Sequence, residues 1–404
     1  MRNFQKPGRS AVFSENGMCA TSHPLAAQSA INILQQGGNA MDAAIAGAVL
    51  LGFCEPQMTG LGGDCFVLFS PAGSDDIKAL NGSGHAPQQA SAAELRAQGH
   101  QTVPVASAHA VSVPGAVGAF CQLAQDWGAL GLDQVLAPAI HYAEAGVPVA
   151  PRVALDWQKD QNRLQSDGLR FFLPEGTAPK AGQLFRAPGQ ADVLRRIAKD
   201  GAKAFYEGEV ADDMLQTLRA MGGVHQAEDF TSEKPDYTIP ICGDYKGTEL
   251  VEHPPNAQGA TAILMLNMLS HFNLSGLDPF GAQRTHIEAE IAKLAYNARN
   301  RFIADPRHMA REDYLTDPKT ATALAALVNP SSVIQAVDRI TETVHKDTIY
   351  ITVVDKDRMA VSLIYSIFNG FGSGIASEKF GILFQNRGAG FNLTPGHPNG
   401  WGGG

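Results

Sequence analysis

Hydrophobic positions recur with a helical period of about 3.6 residues through 23–36, 115–127, 132–145, 191–199, 210–221, 257–272 and 282–302, which predicts a helix in each window. The first stops at Gly37-Gly38, and Asn39 then caps a second helix of small residues, with Asp42 in its first turn where the helix dipole favours an acid. Residues 65–69 read as a buried strand. Near the C-terminal end the period changes. Thr348-Ile-Tyr-Ile-Thr-Val-Val-Asp355 and Met359-Ala-Val-Ser-Leu-Ile-Tyr-Ser366 are apolar, β-branched runs on either side of a charged turn, a hairpin signal. Centring the turn on Lys356 and Asp357 sets Thr348 opposite Tyr365 or Ser366. Side chains opposite each other on one face lie about 5 Å apart, so the second alignment makes the Thr348 and Ser366 hydroxyls neighbours. Before the hairpin, 329–346 is mixed and polar, which suits either a mobile segment or an ordinary surface loop.

Composition narrows the functional classes. At 404 residues, 44% hydrophobic and 18% charged, the chain can bury a large globular core. A net charge of -9 without a basic tract argues against a nucleic-acid partner. No run approaches the roughly 20 apolar residues of a membrane span, and residues 1–10 lack the apolar centre of a secretory signal. The expected location is cytoplasmic, in keeping with five dispersed cysteines that form no CxxC pair. Twelve histidines show no HxxxH or HxH spacing, so neither a metal nor another cofactor is expected. The Gly60-Leu-Gly-Gly63 loop follows a helix and precedes a strand, the reverse of a dinucleotide-binding loop. By composition alone a doubly wound α/β fold stays open.

A Thr at the head of a strand is, by itself, a good strand former and no more. Its context adds to this. Gly17-Met-Cys-Ala-Thr-Ser-His-Pro24, Gln36-Gly-Gly-Asn-Ala-Met-Asp-Ala43-Ala44, Glu55-Pro-Gln-Met-Thr-Gly-Leu-Gly-Gly-Asp64, Val113-Pro-Gly-Ala-Val117, Thr285-His-Ile-Glu-Ala-Glu290, Asn369-Gly-Phe-Gly-Ser-Gly374 and Gly381-Ile-Leu-Phe-Gln-Asn-Arg-Gly-Ala-Gly-Phe391 follow one another in order. This set resembles the γ-glutamyltranspeptidase family of N-terminal nucleophile hydrolases from about residue 11 to about residue 399. The segments around Thr348 and Asn369 look most like its oxamate amidohydrolase branch. The resemblance implies an α+β fold, the αββα sandwich, with a large-subunit region at 1–347 and a small-subunit region at 348–404. The family pattern continues past Asn399 with further strands and a Gly-Gly oxyanion pair, so the expectation is a sandwich lacking its C-terminal strands and a shortened small-subunit region.

The same resemblance implies a proenzyme that cuts itself between Asp347 and Thr348. Thr348 would then serve as both nucleophile and, through its new α-amino group, base, while Ser366 orients its hydroxyl. The expected partners are a small-molecule substrate and the two fragments of the same chain; a homodimer stays open.

Recognition residues separate this chain from glutathione-processing members, where an acid near the end of the third strand takes the substrate α-amino group and an N-terminal Arg takes its α-carboxylate. Gly390 stands at the first place, and Asn81-Gly-Ser-Gly-His-Ala-Pro87 carries no Arg at the second. Arg387 suits a substrate carboxylate held by a bidentate clamp, or an ordinary ion pair. Asn369, Asn386 and His85 complete the candidate substrate-binding set. The expected reaction is hydrolysis of oxamate to oxalate and ammonia, a step of purine catabolism. The alternatives are γ-glutamyl transfer or hydrolysis on glutathione-like substrates and, from another class, an inert, unprocessed fragment.

Overall fold

In the computed structural model, which describes residues 11–309, 311–335 and 348–403, the late hairpin lies inside a sheet whose other strands come from the first 240 residues. The strands are β1 (Gly17–Thr21), β2 (Asp64–Ser70), β3 (Lys78–Gly82), β4 (Val147–Pro148), β5 (Leu184–Phe185), β6 (Asp236–Thr238), β7 (Ile241–Tyr245), β8 (Thr248–Glu252), β9 (Ile349–Asp355) and β10 (Ala360–Ser366). Six of them form one antiparallel sheet in the order β1-β9-β10-β2-β3-β6. The pairs β4–β5 and β7–β8 make separate two-stranded ribbons.

One face of the sheet is covered by helices. The predicted caps form as expected: α1 (Pro24–Gln35) ends before Gly37, and Asn39 opens α2 (Ala40–Cys54) with a full capping box to Asp42. Every residue of α2 is buried, which suits its nearly all-round apolar composition, because a helix without a polar face must be enclosed on all sides. It packs between α1 and the hairpin β9–β10. The fit is close at Gly47, where a Cβ would stand 2.5 Å from Ile351 Cδ1.

Asp355 locks this layer to the hairpin. Its carboxylate accepts hydrogen bonds from the N–H groups of Asp357 (2.9 Å) and Met359 (3.0 Å) across the turn and of Ala40 (2.9 Å) at the start of α2. One buried side chain therefore fixes both the turn and an otherwise unpaired donor at a helix N-terminus.

The opposite face carries Met18, Tyr350 and Ile364, which remain 39%, 50% and 40% exposed. Phe66 on that face meets the His253 ring edge-on at 4.9 Å. Of the expected αββα layers, the described residues build the helical layer and the sheet beneath it. A second apolar core, separate from the main one, gathers Leu264, Met268, Ile287, Ile291 and Leu294 from the helices Gly259–Leu269 and Ala282–Phe302. Most of the polar stretch before the hairpin, residues 336–347, lies outside the described residues, as does the predicted boundary residue Asp347.

Removing the Asp355 carboxylate in Asp355→Ala strands three donors, and urea denaturation should show a loss of about 2–4 kcal/mol in unfolding free energy. A loss below about 0.5 kcal/mol would remove Asp355 from its place as the anchor of the hairpin.

Candidate active site

Thr348 immediately precedes β9, and Ser366 closes β10. Tyr365 pairs with Ile349, so the next step of the register sets Thr348 against Ser366, the second of the two alignments that the sequence allows. The hydroxyl oxygens lie 3.0 Å apart. Alternation along the strands puts both side chains on the face away from α2, since Ile349 and Tyr365 point into the core. Ser366 Oγ also accepts a hydrogen bond from the Phe368 N–H at 2.8 Å, which fixes its orientation toward Thr348.

The chain leaves β10 through an unusual turn. Phe368 and Phe371 adopt φ values of 78° and 57°, in the left-handed region that bulky residues avoid at a cost on the order of 1–2 kcal/mol each. The bond to Ser366 restrains Phe368, and the Phe371 N–H donates to Gln57 O at 2.9 Å. Gly372 is needed here, because a Cβ would lie 2.3 Å from Phe384 O. The turn sends the chain back so that 384–391 lies beside the end of β10. Asn369 and Asn386 join the two passes: Asn369 N–H donates to Asn386 Oδ1 (3.1 Å), and Asn386 Nδ2 donates to Asn369 Oδ1 (3.0 Å) and Val105 O (3.1 Å). The Asn386 side chain is fully buried, and these amides act as a clamp that holds the site together.

Arg387 follows the clamp. Its Nε and Nη2 meet the two carboxylate oxygens of Asp64 at 2.5 and 2.6 Å, so the fork expected to hold a substrate carboxylate is occupied from within. Asp64 opens β2 directly opposite Ser366. Burial pushes its carboxyl above the usual carboxylate range, a shift that the Arg387 guanidinium only partly offsets. The guanidinium lies over the Phe368 ring, 4.6 Å from its centroid. Asp64, Phe368 and Arg387 therefore surround the Ser366 end of the hydroxyl pair.

His85 stands elsewhere, just past the end of β3 and two strands from β10. Its Nδ1 lies 2.9 Å from Glu233 Oε2, and this hydrogen bond raises the imidazole pKa, while burial raises that of Glu233. Among the described residues no group of three His, Cys, Asp or Glu side chains is arranged to hold a metal. Two surface cavities of about 470 Å³ lie away from Thr348, one against Arg170, Asp213 and Lys379 and the other against Trp127 and Tyr237.

Two of these residues carry no role in the sequence reading, Asp64 and Phe368. A carboxylate at the head of an otherwise apolar strand is a visible oddity, but its partner lies 323 positions away.

Known proteins similar to this chain match it over most of its length. The model of the gamma-glutamyltranspeptidase family matches residues 26–403. A glutathione hydrolase-like proenzyme of Bacillus subtilis is 33% identical over 393 residues, covering 96% of this chain and 74% of that protein. The oxamate amidohydrolase proenzyme of Klebsiella pneumoniae is also 33% identical, over 397 residues, with the same two shares. Among solved structures, cephalosporin acylase from Bacillus halodurans superposes with a TM-score of 0.89 at 35% identity, covering 100% of this chain and 75% of that one.

Ser366→Ala should slow the appearance of a fragment beginning at Thr348 by about 10- to 10²-fold on a denaturing gel, because the Thr348 hydroxyl loses the partner that orients it. Ser366→Thr keeps the hydroxyl and should stay within about fivefold of the parent.

Proposed function

This chain belongs to the γ-glutamyltranspeptidase family, and we propose that it is a self-processing N-terminal threonine amidohydrolase whose substrate is a small amide bearing a carboxylate, with oxamate as the best fit. The observation that carries this reading is the Thr348–Ser366 hydroxyl pair, 3.0 Å apart at the head of the hairpin, with the Asp64–Arg387 ion pair beside its Ser366 end.

In the first stage the Thr348 hydroxyl attacks the carbonyl carbon of Asp347. The peptide nitrogen leaves as the α-amino group of Thr348, and the acyl group passes to oxygen. Water hydrolyses that ester, releasing the Asp347 carboxyl group and regenerating the hydroxyl. In the second stage the freed amine, with a reference pKa of about 8, takes the hydroxyl proton as Thr348 attacks the substrate amide. Ammonia leaves with a proton returned by the amine, and water then releases oxalate from the acyl-enzyme. Ser366 holds the attacking oxygen throughout. The Thr348 methyl restricts χ1 and limits the positions the oxygen can take.

Substrate choice rests on charge. A γ-glutamyl group presents an ammonium and a carboxylate, and the positions expected to receive them hold Gly390 and no Arg in 81–87. Oxamate has one carboxylate and no ammonium, which suits Arg387. Its Nη1 has no partner among the described residues, while Asp64 takes the other two donor positions. A glutathione-type reaction is the second reading, favoured by the equally similar glutathione hydrolase-like relative. We assign the reaction to the cytoplasm, where the five free thiols stay reduced.

Ammonia release from oxamate compared with turnover of γ-glutamyl-p-nitroanilide separates the two enzyme readings; turnover of the second alone contradicts the oxamate assignment. Thr348→Ala should lower activity at least 10³-fold. The rate at subsaturating substrate should rise as pH passes through about 8, because the base is the deprotonated amine and protonation removes it. A flat profile between pH 6 and 9 would assign the base elsewhere.

A further inference from the structure

Asp64 is the single charged residue of β2, and its side chain is only 1% exposed. A carboxylate so enclosed cannot itself receive a substrate. Buried without a partner, a carboxylate is strongly destabilising, so its hold on Arg387 is firm. The hold is directional as well. Asp64 takes Nε and Nη2 of the guanidinium at 2.5 and 2.6 Å, and the Phe368 ring supports the guanidinium plane from 4.6 Å. Phe368 is in turn bonded through its N–H to the same Ser366 oxygen that contacts Thr348. An Arg side chain with four rotatable bonds is thereby reduced to one orientation, and the cost of ordering it is met in folding rather than in binding. Nη1 is left over, on a side chain that is 28% exposed.

We infer that Asp64 is a positioning residue for substrate recognition: by occupying two donor positions of Arg387, it makes the guanidinium present a single charged edge to a carboxylate bonded directly to the scissile amide carbonyl. This deepens the amidohydrolase reading and rests on it for the identity of the reaction, but binding of the carboxylate is measurable without turnover.

Calorimetric titration of oxalate into the purified full chain tests the inference. Asp64→Asn keeps the shape and one acceptor but loses the second, and Arg387→Lys keeps the charge but cannot be held at two points. Each should weaken oxalate binding at least tenfold. Adding Asp64→Asn to Arg387→Gln should weaken it no further, since Asp64 acts only through the guanidinium. With oxamate as substrate, Asp64→Asn should raise KM at least tenfold and lower kcat by less than threefold. Oxalate binding within threefold of the parent in either single variant, additive losses in the double variant, or no oxalate binding by the parent would each overturn the inference. If Asp64→Asn fails to fold, the Arg387→Lys measurement decides alone. Oxalate binding that follows this pattern in a protein unable to hydrolyse oxamate would count against the amidohydrolase reading and leave the role of Asp64 standing.

Discussion

The register of one hairpin governs the rest of this molecule. Because Tyr365 faces Ile349 and Ala360 faces Val354, Thr348 meets Ser366; a slip of one residue would turn every side chain of the moving strand to the other face. It would also point the Thr348 hydroxyl into the helical layer. The turn alone does not determine this alignment. Asp355 secures it by bonding the turn to the first residue of α2, so that the position of the hydroxyl pair at one end of the hairpin depends on a carboxylate at the other.

Strand order gives the hairpin a second kind of support. β9 and β10 lie between β1 and β2, both from the N-terminal part of the chain. A break before Thr348 would leave the C-terminal piece paired on both sides and buried against α2. Cleavage and retention of the fold are therefore compatible, which is a physical requirement for any enzyme that creates its nucleophile by cutting itself. The returning segment 384–391 adds a further tie to the N-terminal part through Asn386 Nδ2, which donates to Val105 O, and through the Asp64–Arg387 pair.

Local signals were legible in the sequence, and distant pairings were not. The Asn39 cap and its Asp42 partner lie within one turn, and both form as expected. The hairpin was readable because seven-residue strands carry enough alternation to define a face. β1 and β3 have five residues each and are ordered by partners far along the chain, so their own pattern says little. At the site, the chemistry of Arg387 was apparent but its partner was not, since Asp64 is joined to it only by folding. His85 shows the same limit, with Glu233 148 positions away. The strain at Phe368 and Phe371 is likewise a property of the folded turn and has no local signature in two aromatic residues.

Catalysis by the Thr348 α-amino group requires Thr348 to become a chain terminus. Intact-mass measurement of purified, incubated protein tests this most directly. The prediction is two polypeptides whose masses sum to that of the 42.8 kDa chain plus one water, the smaller beginning at Thr348. A single species of full mass that persists on prolonged incubation would contradict it.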